Sequence, residues 1–202
     1  MITTGIRLSE EPLLLASSSP RRIETLRGYG FPIVVSPADV DESSYDSLPV
    51  GERVQALAEL KVRTASAAAP EPPYWALGAD TLVALDGEVF GKPSDEAEAR
   101  AMLRALSGRT HRVLSGLCAL DRRTGRAEKA LSETSVTFSA MSGRELDWYI
   151  ASGEWRGVAG AYRVQERAAF FVERIDGSFS GVVGLPLHAF YAILSRIGYP
   201  IP

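Results

Sequence analysis

The sequence predicts an α/β protein with a largely mixed sheet flanked by helices, and three observations carry that prediction. Apolar runs of strand length alternate along the chain with longer stretches whose apolar residues recur every three or four positions. Serine, proline and glycine punctuate the changes from one pattern to the other. Two links, Asp86-Gly87 and Arg122-Arg123-Thr124-Gly125, read as hairpin turns, which put antiparallel pairs among parallel crossovers. With 202 residues and 46% hydrophobic content, a single domain over residues 1–202, folded as two lobes around a central cleft, is the expectation.

The first element is Leu13-Leu14-Leu15, a buried strand that breaks into Ala16-Ser17-Ser18-Ser19-Pro20-Arg21-Arg22. Pro20 suits the first helical position, where its missing N–H has no intrahelical partner, and a serine just before it offers a cap, so a helix is predicted over residues 20–29. Its N-terminus presents unpaired N–H groups, hydroxyls and the positive end of the helix dipole. The guanidinium forks of Arg21 and Arg22 add donors that suit phosphate, and the plainer alternative is an ordinary cap with two solvated arginines. Residues 32–36 follow as a second strand and empty into the acidic loop Asp39-Val40-Asp41-Glu42, which by itself reads as solvated charge.

Pro49 opens a long helix to about residue 69, with Val54, Leu57, Ala58, Val62 and Ala65 on its apolar face. Lys61 falls on that same stripe, so its ammonium must either snorkel out or point into something negative. A proline-rich turn leads to residues 75–85, a nearly continuous apolar strand interrupted by Asp80-Thr81. A lone carboxylate there costs several kcal/mol unless it meets a cation or is well hydrogen-bonded. Residues 88–91 return from the hairpin, and Lys92-Pro93 precedes a helix over 94–106 with Ala99, Met102, Leu103 and Leu106 inward.

Residues 112–121 and 131–139 read as a scaffold hairpin, and Ser142 caps a short helix to about residue 151. The loop from Trp155 to Gln165 carries Gly157 and Gly160, which permit unusual dihedrals or close approach to a ligand. A strand over 168–175 turns at Asp176-Gly177-Ser178. The small residues 180–184, either a ligand cradle or a tight strand-to-helix link, then lead into a last helix over 185–197.

A net charge of −3 gives no basic field for nucleic acid, so the arginines serve a local ligand if they serve any. The single cysteine, Cys118, excludes an intramolecular disulfide and reads as a core residue, which fits a reducing cytoplasm. The N-terminal residues lack a signal-peptide pattern and no apolar stretch approaches ~18 residues, so neither export nor a membrane is expected. Taken together, a phosphate cradle (Ser17, Arg21, Arg22), two oddly placed lysines (Lys61, Lys92), carboxylates open to a hard metal (Glu42, Asp80) and an uncharged loop ending in Gln165 suit metal-dependent chemistry on a nucleotide.

Six stretches now show a resemblance: Ala16-Ser17-Ser18-Ser19-Pro20-Arg21-Arg22, Leu77-Gly78-Ala79-Asp80-Thr81, Gly91-Lys92-Pro93, Leu106-Ser107-Gly108-Arg109-Thr110-His111, Ala159-Gly160-Ala161-Tyr162 with Gln165, and Gly184-Leu185-Pro186. In that order, over about residues 13–197, the chain resembles the Maf family of nucleoside triphosphate pyrophosphatases. The resemblance implies a Maf/inosine-triphosphatase-like fold and a cytoplasmic enzyme, often a homodimer. It also implies hydrolysis of a nucleoside triphosphate to monophosphate and pyrophosphate with a divalent metal, Mg²⁺ or Mn²⁺. Carried over residue by residue, it makes Asp80 the general base or metal-held carboxylate, with Glu42 assisting at the metal. Ser17, Arg21, Arg22, Lys61 and Lys92 would hold the triphosphate, and Thr81 and Gln165 would distinguish nucleobases. Thr81, Gln165 and Ala159-Gly160-Ala161-Tyr162 are similar to the branch acting on dTTP and UTP. Ser180-Gly181 departs from the bulkier polar residue relatives often carry there, which bears on pocket shape. The competing function is a nucleotide-binding regulator of cell division or septum formation without essential turnover, which would not need a carboxylate at position 80. No Walker-type loop is present for a kinase.

Overall fold

The computed structural model describes residues 9–201, so the reading of the first residues for an export signal lies outside the described residues. Among the described residues seven strands form one mixed sheet in the order β2-β1-β3-β5-β6-β7, with β4 paired to β3. These are β1 Leu13–Leu15, β2 Ile33–Val35, β3 Trp75–Leu85, β4 Glu88–Phe90, β5 Thr110–Asp121, β6 Ala127–Phe138 and β7 Val172–Asp176. The helices are α1 Pro20–Gly28, α2 Val50–Ala68, α3 Glu96–Leu106, α4 Gly143–Ser152, α5 Phe179–Val183 and α6 Leu187–Ile197. β1 runs parallel to β2 and β3, whereas the β3–β4 and β6–β7 pairs are antiparallel, as crossovers mixed with hairpins require. The chain divides into two compact units: the residues up to Asp80 with Ser115–Leu131 and those from Gly184 on, and Thr81–Leu114 with Ser132–Val183.

In the first unit β1 and β3 are buried on both faces, which is why they read as continuous apolar runs, whereas β2 at the edge leaves Val34 exposed. Side chains alternate across a strand, so Leu13, Leu15, Trp75, Leu77 and Ala79 pack with Leu26 of α1 and Phe190, Ile193 and Leu194 of α6. Leu14, Ala76, Cys118 and Leu120 face the other way, against Ala58, Val62 and Ala65 of α2. Helix α2 comes down on backbone: a β-carbon on Gly78 would lie 2.0 Å from the Ala58 carbonyl oxygen, and one on Gly116 would lie 2.4 Å from Val54 carbonyl atoms. Its far end is tied by Arg122, whose guanidinium donates to the carbonyls of Ser66, Ala69, Pro70 and Pro73.

In the second unit, α3 and α4 bury Leu103, Leu106, Leu146, Tyr149 and Ile150 with Val83, Phe90 and Phe138 of the strands. Asp95 caps α3 and a Ser142/Glu145 capping box starts α4, so both helices begin where their polar signals stand.

Three expectations change. β6 begins at Ala127 rather than 131, because its charged opening finds partners: Glu128 accepts from Arg126 and Arg196, and Lys129 pairs with Glu59. Residues 168–175 are not all strand. Arg167–Phe170 form a 3-10 turn, pinned where the Arg167 amide donates to buried Glu154, and pairing with β6 begins only at Val172. Residues 180–184, read as a ligand cradle or a tight link, are largely helical. They belong largely to α5, started by the Ser178 hydroxyl accepting from the Gly181 amide. A side chain at Gly181 would press on Ser132 and Ser178, which accounts for the small residue at this departure from the family pattern.

Candidate functional site

Asp80 stands on the same face of β3 as Ala76 and Gly78, the face α2 covers, and only 8% of its surface is exposed. Lys61 lies one turn beyond Ala58 on the stripe of α2 that meets this face, so it points inward rather than snorkelling. Its Nζ donates to Asp80 Oδ1 at 2.6 Å and lies 2.7 Å from Glu42 Oε1. Asp80 Oδ2 is buried without a hydrogen-bond partner. One oxygen of this carboxylate is therefore paired with an ammonium, and the other accepts no hydrogen bond. Of the acidic loop Glu42 reaches this group. Asp41 turns back to accept from the amide and hydroxyl of Ser43, bonds that lower its carboxyl below the ordinary value and start the 3-10 turn Ser43–Tyr45.

The opening motif is built differently from its reading as a simple cap. Ser19, at the N-cap of α1, makes no side-chain capping bond. The Ser17 hydroxyl, two residues earlier, accepts instead from the Ser19 amide at 3.2 Å. Arg22 donates through Nη1 to Ser17 Oγ at 3.1 Å and to the Ala79 carbonyl at 2.9 Å, and through Nε to the Gly184 carbonyl at 2.8 Å. It thus ties the turn after β1, the residue before Asp80 and the approach to α6 into one rigid corner. Burial lowers its guanidinium to about 10, against the opposing pull of Asp80. Arg21 stands beside it on the first turn of α1, and its charge acts on Arg22 in the same direction as burial.

The first unit thus brings Ser17 and Arg22 to the residue before Asp80, and Lys61 and Glu42 to Asp80 itself, with Arg21 next to Arg22 on α1. Thr81 opens the second unit, and Lys92 and Gln165 are exposed side chains of that unit. The Gln165 turn is held from below: the Gly160 amide donates to the Gly91 carbonyl at 3.1 Å, next to Lys92. The Arg163 amide donates to Tyr149 Oη, and Tyr162 Oη lies 2.8 Å from His111 Nε2. Gly160 has a φ of +67°, and a β-carbon there would meet Val83 Cγ2 at 2.8 Å, so close packing as well as backbone conformation demands glycine. His111 is buried, with desolvation lowering its imidazole to about 4, so it is neutral at ordinary pH and Nδ1 is left unbonded.

Sequence reasoning missed Gly116, the carbonyls of Ala79 and Gly184, and His111 with Tyr149 as supports of the Gln165 turn. A signal existed for Gly116, since glycine inside an apolar strand marks close backbone approach. Carbonyl partners carry no such mark. Cys118 is buried and desolvation pushes its thiol up to about 12, the state of a core residue rather than a nucleophile.

Among the described residues no group of three or more His, Cys, Asp or Glu gathers as a metal centre, and no helix is long and apolar enough to cross a membrane. Glu42 and Asp80, with an unpartnered buried carboxylate oxygen, nevertheless fit a hard cation that takes one or two protein carboxylates and completes its shell with water and phosphate oxygens.

The family described as Maf-like protein matches residues 12–197. A protein of Symbiobacterium thermophilum named dTTP/UTP pyrophosphatase is 46% identical over 191 residues, covering 95% of this chain and 96% of that protein. A Myxococcus xanthus protein of the same name is 45% identical over 191 residues, 94% of each chain. One of Agrobacterium fabrum, also so named, is 40% identical over 198 residues, 96% and 95% of the two chains. The solved structure of the Staphylococcus aureus Ham1 protein covers 93% of this chain and 98% of its own with a TM-score of 0.50 at 15% identity, a likeness of fold.

Proposed function

The chain belongs to the Maf-like proteins, and from that premise we propose that it hydrolyses dTTP and UTP to the monophosphate and pyrophosphate. The observation that carries the reading is Asp80: a buried carboxylate with one oxygen fixed by Lys61 and the other free to act. In this reading Asp80 accepts the proton of the water that attacks the α-phosphorus, and pyrophosphate leaves. Ser17, Arg21, Arg22, Lys61 and Lys92 hold the triphosphate and offset the charge that accumulates on it, which is where phosphoryl-transfer catalysis resides. Glu42 and Asp80 would hold Mg²⁺ or Mn²⁺, and such a cation would supply polarisation of phosphate oxygens and a lowered pKa of water. Thr81 and Gln165 meet the nucleobase: the Gln165 amide offers a donor to O4 and an acceptor to N3–H of uracil or thymine. The single cysteine fits work in the cytoplasm, and a homodimer is the assembly that the family likeness suggests.

The test is a panel of nucleoside triphosphates incubated with purified protein and Mg²⁺ or Mn²⁺, measuring pyrophosphate and orthophosphate separately. Pyrophosphate released chiefly from UTP and dTTP is the expected result. Orthophosphate as the first product, in a preparation free of contaminating pyrophosphatase, overturns the reading.

A further inference from the structure

We propose that Lys61 is the resting occupant of the metal-holding carboxylates: in the nucleotide-free protein its ammonium competes with a divalent cation for Glu42 and Asp80, and the triphosphate relieves that competition. The inference rests on the reading of Glu42 and Asp80 as metal-holding residues. Lys61 Nζ lies at hydrogen-bond distance from both carboxylates, 2.7 Å from Glu42 and 2.6 Å from Asp80. One cation already bridges the pair that the second would bridge. The Asp80 side chain is buried, with 11% of its surface exposed, so solvent screens it weakly, and a divalent ion reaching the unpartnered Oδ2 would face an ammonium held by Oδ1 of the same carboxylate.

One lysine and two carboxylates carry −1 together, and Arg22 also acts on Asp80, so a divalent ion alone would leave a net positive charge around the buried Asp80. An incoming triphosphate brings several negative charges. It gives the Lys61 ammonium other oxygens to bind and the metal further ligands. Metal and nucleotide should therefore be taken up together, and the free protein should hold metal poorly because of Lys61 rather than for want of carboxylates. This links the inward course of Lys61 to protection of the site from stray cations in the absence of substrate.

Mn²⁺ alone, titrated into the full-length protein and followed by electron paramagnetic resonance of the free ion, reads this directly without turnover. The wild-type protein is expected to bind Mn²⁺ weakly, and folded Lys61→Met and Lys61→Gln variants, checked by circular dichroism, should bind it at least about tenfold more tightly. Adding Asp80→Asn to either should abolish the gain. Tight binding by the wild-type protein, or no gain in both lysine variants, overturns the proposal. If Asp80→Asn then still weakens Mn²⁺ binding, the metal reading survives and only the competition fails. If Asp80→Asn changes nothing in any background, with or without a non-hydrolysable UTP analogue, the metal reading falls as well.

Discussion

Replacing Gly78 by alanine tests whether the seat of α2 sets the distance between Lys61 and Asp80. The added β-carbon would lie 2.0 Å from the Ala58 carbonyl oxygen, 3.0 Å from the Ala58 carbonyl carbon and 2.9 Å from Val62 Cβ. Close carbon–oxygen contacts lie at roughly 3.3–3.6 Å, so α2 must retreat by roughly 1.3 Å or more, and the obstacle is backbone that no rotamer change can clear. Overpacking of a core costs typically about 1–3 kcal/mol, and this case belongs at about 3. That is less than a typical total stability of about 5–15 kcal/mol, so the variant folds, with a melting temperature lower by roughly 6–12 °C. Lys61 rides on the next turn of α2. A shift of that size would stretch its 2.6 Å bond to Asp80 to roughly 3.9 Å, beyond the usual limit of ~3.2 Å. The lysine stem recovers part of the distance, so turnover should fall, but by less than on loss of Asp80 itself. Thermal unfolding and UTP turnover of Gly78→Ala measure both effects. Gly143→Ala, where nothing lies within 4 Å of the new atom, serves as control. A melting temperature within ~2 °C of wild type with unchanged turnover would refute the reasoning.

Asp80→Asn, nearly isosteric, should leave the fold standing and reduce turnover at least ~10²-fold, because it removes the proton acceptor and a carboxylate charge. Near-normal hydrolysis would favour a nucleotide-binding regulator that needs no carboxylate there. Gln165→Glu should lower activity on UTP and dTTP more than on a purine triphosphate, since the carboxylate loses the donor for O4. With glutamine in place, a fixed amide gives roughly a 5- to 150-fold preference for UTP and dTTP over CTP, and equal losses on all substrates would remove Gln165 from base recognition. His111, held at about 4 by burial against an ordinary value of 6.5, makes stability pH-dependent. The unfolded chain binds a proton below about 6.5 that the folded protein refuses until about 4, so the folded state loses up to about 3 kcal/mol as pH falls through that window. Denaturant unfolding of His111→Gln from pH 7 to 4 should lack that share of the decline, and curves parallel to wild type would count against it.

Periodicity alone was enough for the apolar face of α2 and the inward residues of α3, because helix and strand periods differ and burial selects apolar side chains at those periods. It also put Lys61 on a buried stripe, to snorkel out or meet a negative group, and Asp80 inside a buried strand, where a carboxylate is too costly to leave without a partner. What it left open was how each is neutralised. That depended on alternation along β3 turning Asp80 to the side α2 covers, and on Gly78 and Gly116 letting α2 come close enough for one ammonium to reach two carboxylates. The role of Arg22 was legible only as charge, because its acceptors are the carbonyls of Ala79 and Gly184, and a carbonyl is common to every residue. The start of β6 was hidden for a related reason: Glu128 and Lys129 read as loop until Arg196 and Glu59, far along the chain, neutralise them. Local pattern thus determined the long helices and buried strands and which charged residues are out of place, but not the start of β6, the turn before β7 or α5. Only the tertiary structure decided which opposite charge, hydroxyl or backbone group meets each of them, since that depends on distances between segments that no local period encodes.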